Sequence, residues 1–283
     1  MRPGPRRYTR RVTPLLCATC AVLLIGAPPI TGAWGASATI SPLFSPNRLG
    51  VKGRLQLTIR FSEDGSEGVP SPVRRSVLRM PAGLGIEIPH LRSCSIVRLR
   101  ALGASGCSAQ SELGRGHALA EAVAGSQLIT ENISLWLFLG PFHNLEPTIE
   151  ILGRGFTPFD ERVVLTGTIA FDKAPFGEDL VLSIPPIPTV PLEPDASILT
   201  MSLTVGTSIP KGTGTSTGAG ANAQANTIVL PPACPAGGFP FAADFTYADG
   251  SSNSALAKAP CPGRSKSATS VPATLALEDY LGG

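Results

Sequence analysis

Four cysteines are the residues of this chain whose chemistry is easiest to interpret. Cys94, Cys107, Cys234 and Cys261 lie beyond a leader-like N-terminus, and an even number of cysteines in an exported chain indicates disulfides. Each neighbouring pair brackets one compact unit, a short helical turn in the first case and a hairpin in the second. We therefore predict that Cys94 pairs with Cys107 and Cys234 with Cys261.

The same residue types argue against a metal centre. No C-x-x-C motif occurs after the leader, and His90, His117 and His143 have no ligand spacing to one another or to the cysteines. The acidic run Glu63 to Glu67 departs from the spacing of a calcium loop, so a solvated turn is the better interpretation. We predict no metal and no cofactor.

Paired carboxylates are the main route to an enzyme. Glycoside hydrolysis needs two acids that face each other across a cleft, and Glu146 with Glu150, or Asp160 with Glu161, could supply them. The run Gly214 to Gly218 matches G-x-S-x-G, but no strand precedes it and no helix follows, as a nucleophile elbow requires. We therefore assign no catalytic residue.

Charge excludes a class of partners. Residues 1–38 hold five of the 23 basic residues and no acidic residue, so the remainder carries 18 basic and 20 acidic groups. This balance gives no cationic field for a nucleic acid. Arg92, Arg98 and Arg100 could form a local anion patch, although a solvated face is the simpler interpretation.

The N-terminus has the features of a secretory signal peptide. Five arginines precede the apolar run Leu15 to Ala27, which is too short to cross a bilayer, and Ala36-Ser37-Ala38 forms an A-x-A cleavage pattern. We expect residues 1–38 to be removed and the mature chain, without a transmembrane segment, to be secreted or held at the cell surface. The export route and any means of retention stay open.

Period-two alternation predicts strands throughout the mature chain. Leu55, Leu57, Ile59 and Phe61 share one face of "RLQLTIRF", and "ISLWLFLG", "PTIEIL", "RVVLTGTIAF", "DLVLSI" and "SILTMSLTVG" continue the series. Only residues 95–102 suggest a helix, of two turns. We predict an all-β protein, most simply an antiparallel β-sandwich, with very little helix.

Composition divides the mature chain into segments. We predict a β-sandwich over 39–182, a proline-rich linker over 183–195, a smaller β segment over 196–262 and a flexible tail over 263–283. Whether 39–262 is one domain or two stays open. The P-x-x-P spacings from Pro188 to Pro194 are better explained by a stiff spacer than by peptide recognition, and 211–226 should form a mobile loop.

The stretch "CPAGGFPFAADFTYADG" places Phe239, Phe241, Phe245 and Tyr247 on one face and ends in a turn signal at Asp249-Gly250. Such a row could stack on sugar rings, with Asp244 or Asp249 as a polar anchor. With few other large aromatics available, we predict that it forms the core instead.

Two stretches carry a resemblance: "PAGLGIEIPHLRSCSIVRLRALGASGCSAQSELGRGHA" and "PPACPAGGFPFAADFTYADG". Together they resemble uncharacterised secreted, cysteine-paired proteins of GC-rich actinobacteria. The resemblance implies export, cysteine pairing and a β-rich fold, and it implies no activity.

From these features we expect a non-catalytic secreted or cell-surface protein, structural or ligand-binding in role, with a cell-wall or extracellular glycan as a candidate partner. The alternative is a secreted polysaccharide hydrolase that uses paired carboxylates. Convergence of two acids in a cleft would distinguish the hydrolase.

Overall fold

The period-two segments form one antiparallel sheet in the computed structural model of the chain. The structure describes residues 36–63, 69–88, 91–124, 127–144, 146–156, 160–187, 196–206 and 228–262. Strands account for 62% of these residues and helices for 8%. The all-β prediction is confirmed, and the sheet is sandwich-like.

The described residues contain thirteen strands and one short α-helix. The strands are β1 (Ala36–Ser45), β2 (Lys52–Glu63), β3 (Val73–Pro81), β4 (Gly85–Ile86), β5 (Glu112–Ala124), β6 (Gln127–Leu139), β7 (Thr148–Gly155), β8 (Glu161–Phe171), β9 (Phe176–Ser183), β10 (Ser197–Val205), β11 (Ile228–Val229), β12 (Phe239–Tyr247) and β13 (Ser252–Ala259). The helix is α1 (Ile96–Leu102), and short 3-10 turns follow it at Gly103–Gly106 and Ala109–Ser111.

The strand order brings the two ends of the sheet together. From β13 the order runs β12, β3, β9, β8, β7, β6, β5, β10 and β2, and β1 then pairs with β2. The sheet curls until β1 lies beside β13, where the Asn253 side-chain amide donates to the Ala36 carbonyl at 2.7 Å. The two halves of the sheet thus enclose a common interior.

The two ends of this curled sheet differ. At one, which we call the turn end, the short β5–β6, β7–β8 and β12–β13 connections lie together. At the other, the disulfide end, the longer connections carry α1 and both cysteine pairs. Leu84 and Leu230, 7% and 1% exposed, join the core at the disulfide end. These two side chains extend the core to the disulfide end.

Aromatic residues from the closing hairpin fill one side of the interior. Phe239, Phe241 and Phe245 are 1–2% exposed. Phe44 packs edge-on against Phe239 at 5.3 Å between ring centroids, and Phe61 packs in the same way against Phe245 at 5.0 Å. The prediction that this aromatic row is core is confirmed, so the rings are not available to stack on a sugar.

Helix α1 forms a second layer outside the sheet. Leu99 of α1 is fully buried against Phe138, Leu152 and Val164, which project from the outer faces of β6, β7 and β8. The helix begins where the sequence predicted, because the Ser95 side chain accepts from the Arg98 amide as an N-cap. The segment between β4 and β5 is thereby fixed on the sheet.

Strands from both predicted β segments share this sheet. Strand β10 lies between β5 and β2, and β12 pairs with β3, so residues 196–262 do not form a separate sheet. All described residues also fall in one compact unit. Of the predicted linker, 183–187 is described, whereas Pro188, Pro191 and Pro194 lie outside the described residues, as do the loop 211–226 and the tail 263–283.

Candidate functional site

An apolar cavity inside the curled sheet is the main candidate site. Its volume is about 150 Å³, and side chains from nine strands line it. Among the lining side chains that belong to the described residues, only Ser76, Glu131 and Glu161 are polar. An apolar cavity of about 150 Å³ can take a molecule such as benzene. The cavity is thus suited to an apolar group about the size of one aromatic ring.

Small residues on neighbouring strands create the space. Ala118 and Ala120 of β5 and Gly153 and Gly155 of β7 line the cavity, where their neighbours are mostly leucine, isoleucine and valine. A Cβ added at Gly153 would meet Ile133 and Leu135 at 3.4 and 3.5 Å, which is ordinary van der Waals contact. At Gly155, by contrast, Glu131 occupies the place of a side chain, since an added Cβ would lie 2.9 Å from its Oε1. Ala118, Ala120 and Gly153 therefore account for the empty space, because they lack the side chains that fill the rest of the interior.

The cavity reaches solvent at the turn end. Glu161, the first residue of β8, lines the cavity and is exposed. Glu131 lies near it and accepts the Phe156 amide at 2.6 Å through Oε1. This hydrogen bond fixes one side of the opening. The acidic groups among the described lining residues, Glu131 and Glu161, therefore both lie at the edge of the cavity. A ligand would therefore have its apolar part inside and any polar part near these glutamates.

Both cysteine pairs lie at disulfide distance, as predicted. The Cα–Cα separation is 5.5 Å for Cys94 and Cys107 and 5.9 Å for Cys234 and Cys261. The first pair closes the connection that carries α1. The second joins Cys234, five residues before β12, to Cys261, two residues after β13, and so holds the open ends of the hairpin together. The segment that leads from Cys234 into β12 thus has a structural role, because its cysteine pair holds the two arms of the hairpin together.

The hairpin turn explains how cysteines at unequal distances from Asp249 meet. Thr246 pairs with Ser252, and the Gly250 amide donates to the Tyr247 carbonyl. The Tyr247 amide donates to the Ser251 carbonyl, and only Gly250 has positive φ in this turn, 84°, so the chain reverses at the predicted Asp249-Gly250 signal through a three-residue loop and not a two-residue type I′ turn. Gly237 and Gly238, at φ 81° and 102°, supply the remaining bend beside Cys234.

Of the candidate catalytic acids, Glu161 lines the cavity opening together with Glu131, whereas the others do not line the cavity. Glu150 lies on the outer face of β7, 2% exposed, and accepts from Thr166 Oγ1 at 2.7 Å. Burial raises the pKa of Glu150, and the Thr166 hydrogen bond and the positive charge of Arg100 oppose that rise. Glu146 is exposed and forms an isolated backbone bridge with His143. Neither glutamate faces Asp160 or Asp244 across a groove.

The aspartates each have a local partner. Arg154 donates to both Asp160 oxygens at 2.8 and 2.7 Å, and this pairing lowers the pKa of Asp160. Asp249 accepts from the Ser251 amide and hydroxyl within the hairpin turn, which lowers its pKa. These contacts account for both residues as structural groups.

Asp244 belongs to an ionic cluster on the outer face of β3, β9 and β12. Arg79 Nη2 lies 2.6 Å from Asp244, and Asp172 and Asp179 lie at 3.7 and 4.0 Å from Arg79 Nε. Burial raises the pKa of Asp179, with the Asp172 charge in the same direction and Arg79 opposed. The cluster ties neighbouring strands and does not line the cavity.

The remaining candidates are metal ligands, a membrane-spanning helix and several sequence motifs. Within the described ranges, no group of three or more His, Cys, Asp and Glu side chains could hold a metal ion. No helix among these residues is long and apolar enough to span a membrane. The G-x-S-x-G match, His90 and most of the acidic run Glu63 to Glu67 lie outside the described residues, as does the proposed leader up to residue 35.

Sequence reasoning missed the residues that form the cavity. The alternation in "GRGHALAEA" was a usable signal, because Gly114, Gly116, Ala118 and Ala120 put only small groups on one face of β5. A strand with one face of glycine and alanine cannot fill an interior by itself. Comparison with family models, curated proteins and solved structures finds no match to the chain.

Proposed function

We propose that this protein is an exported, non-catalytic binding protein that holds a small apolar ligand inside its curled sheet. The cavity of about 150 Å³ carries this proposal. Its lining offers few hydrogen-bond partners, so a sugar would lose the hydration of its hydroxyl groups without replacement. An apolar ligand is therefore favoured over the glycan that the sequence suggested.

The proposed export rests on separate support. Disulfides form and persist in oxidising compartments, and two cysteine pairs lie at disulfide distance. The N-terminal arginines and the apolar run that follows them fit a leader. The resemblance to uncharacterised secreted actinobacterial proteins agrees with this location and adds no activity.

The hydrolase alternative receives less support. Its expected feature was a pair of acids across a cleft, and Glu150, Asp160 and Asp244 instead contact Thr166, Arg154 and Arg79. Two other acids, Glu131 and Glu161, do line the cavity opening, but Glu131 accepts a hydrogen bond from the Phe156 amide and the interior behind them is apolar. A polysaccharide screen for binding and for cleavage addresses this alternative directly. Cleavage that survives replacement of cavity residues would favour the hydrolase.

Filling the cavity tests the proposal. Toluene, a ring-sized apolar probe, should raise the melting temperature of the wild-type protein in a saturable manner, because it binds the folded state alone. Gly153→Leu should fold with a melting temperature at least equal to that of the wild type and lose the response to toluene. Ala120→Leu, from β5, should act in the same way.

The matched control is Gly85→Leu. Gly85 lies outside the cavity lining and has no neighbour within 4 Å of an added Cβ, so the same chemical change should leave the toluene response intact. The proposal fails if wild type shows no saturable shift, or if folded Gly153→Leu and Ala120→Leu respond as wild type does.

A further inference from the structure

A second, polar cleft lies outside the sheet beside the Cys94–Cys107 pair. It has a volume of about 380 Å³ and is lined by Arg92, Ser93, Arg98, Ser105 and Ser108 together with the two cysteines and Gly106. It shares no lining residue with the apolar cavity. Its chemistry is therefore independent of the function proposed above.

The two arginines project from fixed backbone. Arg98 belongs to α1, which is capped by Ser95 and anchored by fully buried Leu99. The Arg92 amide donates to the Gln110 carbonyl at 3.2 Å, and the Cys94 amide donates to the Leu139 carbonyl at 2.7 Å. The cleft is thus held between α1 and the end of β6, with a covalent link across it.

Neither guanidinium is neutralised. Arg115, Arg154 and Arg79 each contact a carboxylate, whereas Arg92 and Arg98 have no ion-pair partner in the part of the chain that the structure describes. None of the described residues that line the cleft is acidic. Two uncompensated positive charges at one concave site create a local field that attracts an anion.

The serines add hydrogen-bond donors of suitable type. Ser108 Oγ accepts from the Gln110 amide at 3.2 Å, so its hydroxyl hydrogen is available to donate. Ser105 instead donates to the Leu102 carbonyl at 2.9 Å and can only accept from a ligand. Guanidinium groups bind phosphate through two parallel hydrogen bonds, and a nearby hydroxyl completes such a set.

We propose that this cleft binds the phosphate group of a small phosphate ester. Two guanidinium groups and the Ser108 hydroxyl would contact the phosphate oxygens, and the open volume leaves space for the organic part of the ester. A carboxylate has only two oxygens and would leave some of these hydrogen-bond donors without a partner. The site therefore should prefer phosphate over acetate.

Isothermal titration at constant ionic strength tests the assignment, with inorganic phosphate, glycerol phosphate and acetate as probes. Wild type should bind phosphate and glycerol phosphate at one site per chain, and acetate more weakly. Arg98→Gln and Arg92→Gln should each raise the Kd for phosphate by about tenfold or more, the loss expected for a charge-assisted contact.

Arg60→Gln is the matched control, because Arg60 is exposed on β2 and lies outside the cleft. It changes the net charge equally and should change the Kd less than about twofold. Equal weakening by Arg60→Gln would assign the effect to general charge and overturn the proposal. The absence of saturable phosphate binding, or unchanged binding in both folded cleft variants, would also overturn it. Tighter binding of glycerol phosphate than of inorganic phosphate would identify the ester as the preferred source of the anion.

Discussion

Glu150 shows how a carboxylate can be nearly inaccessible without belonging to an active centre. It lies under the connection that carries α1, and Thr166 is its side-chain hydrogen-bond partner. Because burial raises its pKa, the folded state favours the neutral acid. Stability from this group is present below the unfolded pKa and is lost as the pH rises through the folded pKa.

Glu150→Gln should therefore increase the free energy of unfolding at pH 7, by about 1 kcal/mol for one buried polar change. Glutamine keeps an oxygen that can accept from Thr166 and carries no charge. The gain should disappear as the pH falls to about 4, where the wild-type residue is also neutral. Urea denaturation across this pH range measures the effect.

Exposed Glu146 provides the control, since Glu146→Gln removes the same charge from a solvated site. Its effect should lie within about 0.5 kcal/mol at either pH. A loss of stability in Glu150→Gln at pH 7 would show that the Arg100 charge, and not burial, determines the behaviour of Glu150.

At the scale of elements, local pattern predicted much of the structure. Alternation in residues 54–61 corresponds to β2, and the Ser95 cap marks the start of α1. The cavity was not predictable in this way. It depends on Ala118 and Gly153 lying in one interior, and their strands are brought together by β6, which pairs with both β5 and β7. Sequence periodicity assigns faces to strands but does not reveal which small residues share a space.

The two disulfide-linked elements permit a paired stability prediction. Replacing Cys234 and Cys261 together by serine should lower the free energy of unfolding by up to about 3.6 kcal/mol, and replacing Cys94 and Cys107 by up to about 3 kcal/mol, because the larger loop gains more entropy in the unfolded state. Denaturation of the unreduced proteins measures both values. The chain-entropy argument is contradicted if the shorter loop proves the more stabilising.

Peptide mapping of the unreduced protein provides the control for connectivity. The expected cross-linked peptides join Cys94 to Cys107 and Cys234 to Cys261, in agreement with Cα separations of 5.5 and 5.9 Å. A peptide that links the first region to the second would contradict this arrangement.

At the scale of the whole molecule, the first and last strands close the sheet on each other. Ala36, Ser37 and Ala38 already belong to β1 and pair with Glu63, Ser62 and Phe61. Cleavage after Ala38, the site that the A-x-A pattern predicts, would remove these residues. It would also remove the Ala36 carbonyl to which Asn253 donates.

A chain that begins at Trp34 should therefore be more stable than one that begins at Thr39, by about 1 kcal/mol for the lost, partly buried hydrogen bond. Asn253→Ala distinguishes this contact from the other losses. The substitution should cost more in the longer chain, because in the shorter chain the Ala36 partner is already absent. Urea denaturation of both chain lengths, each with and without Asn253→Ala, gives a double-mutant cycle. An equal loss of unfolding free energy in the two lengths would contradict the contact. N-terminal sequencing of the exported protein then shows which start is used.

The position of β10 between β2 and β5 has a consequence for the order in which the fold can assemble. During synthesis or export the chain emerges from its N-terminus, and β2 and β5 stay unconnected until residues 197–205 are available. Strand β3 likewise has an unpaired edge until β12, its second neighbour, has been synthesised. The complete sheet is thus a late event, which favours slow, concerted folding once the whole chain is available.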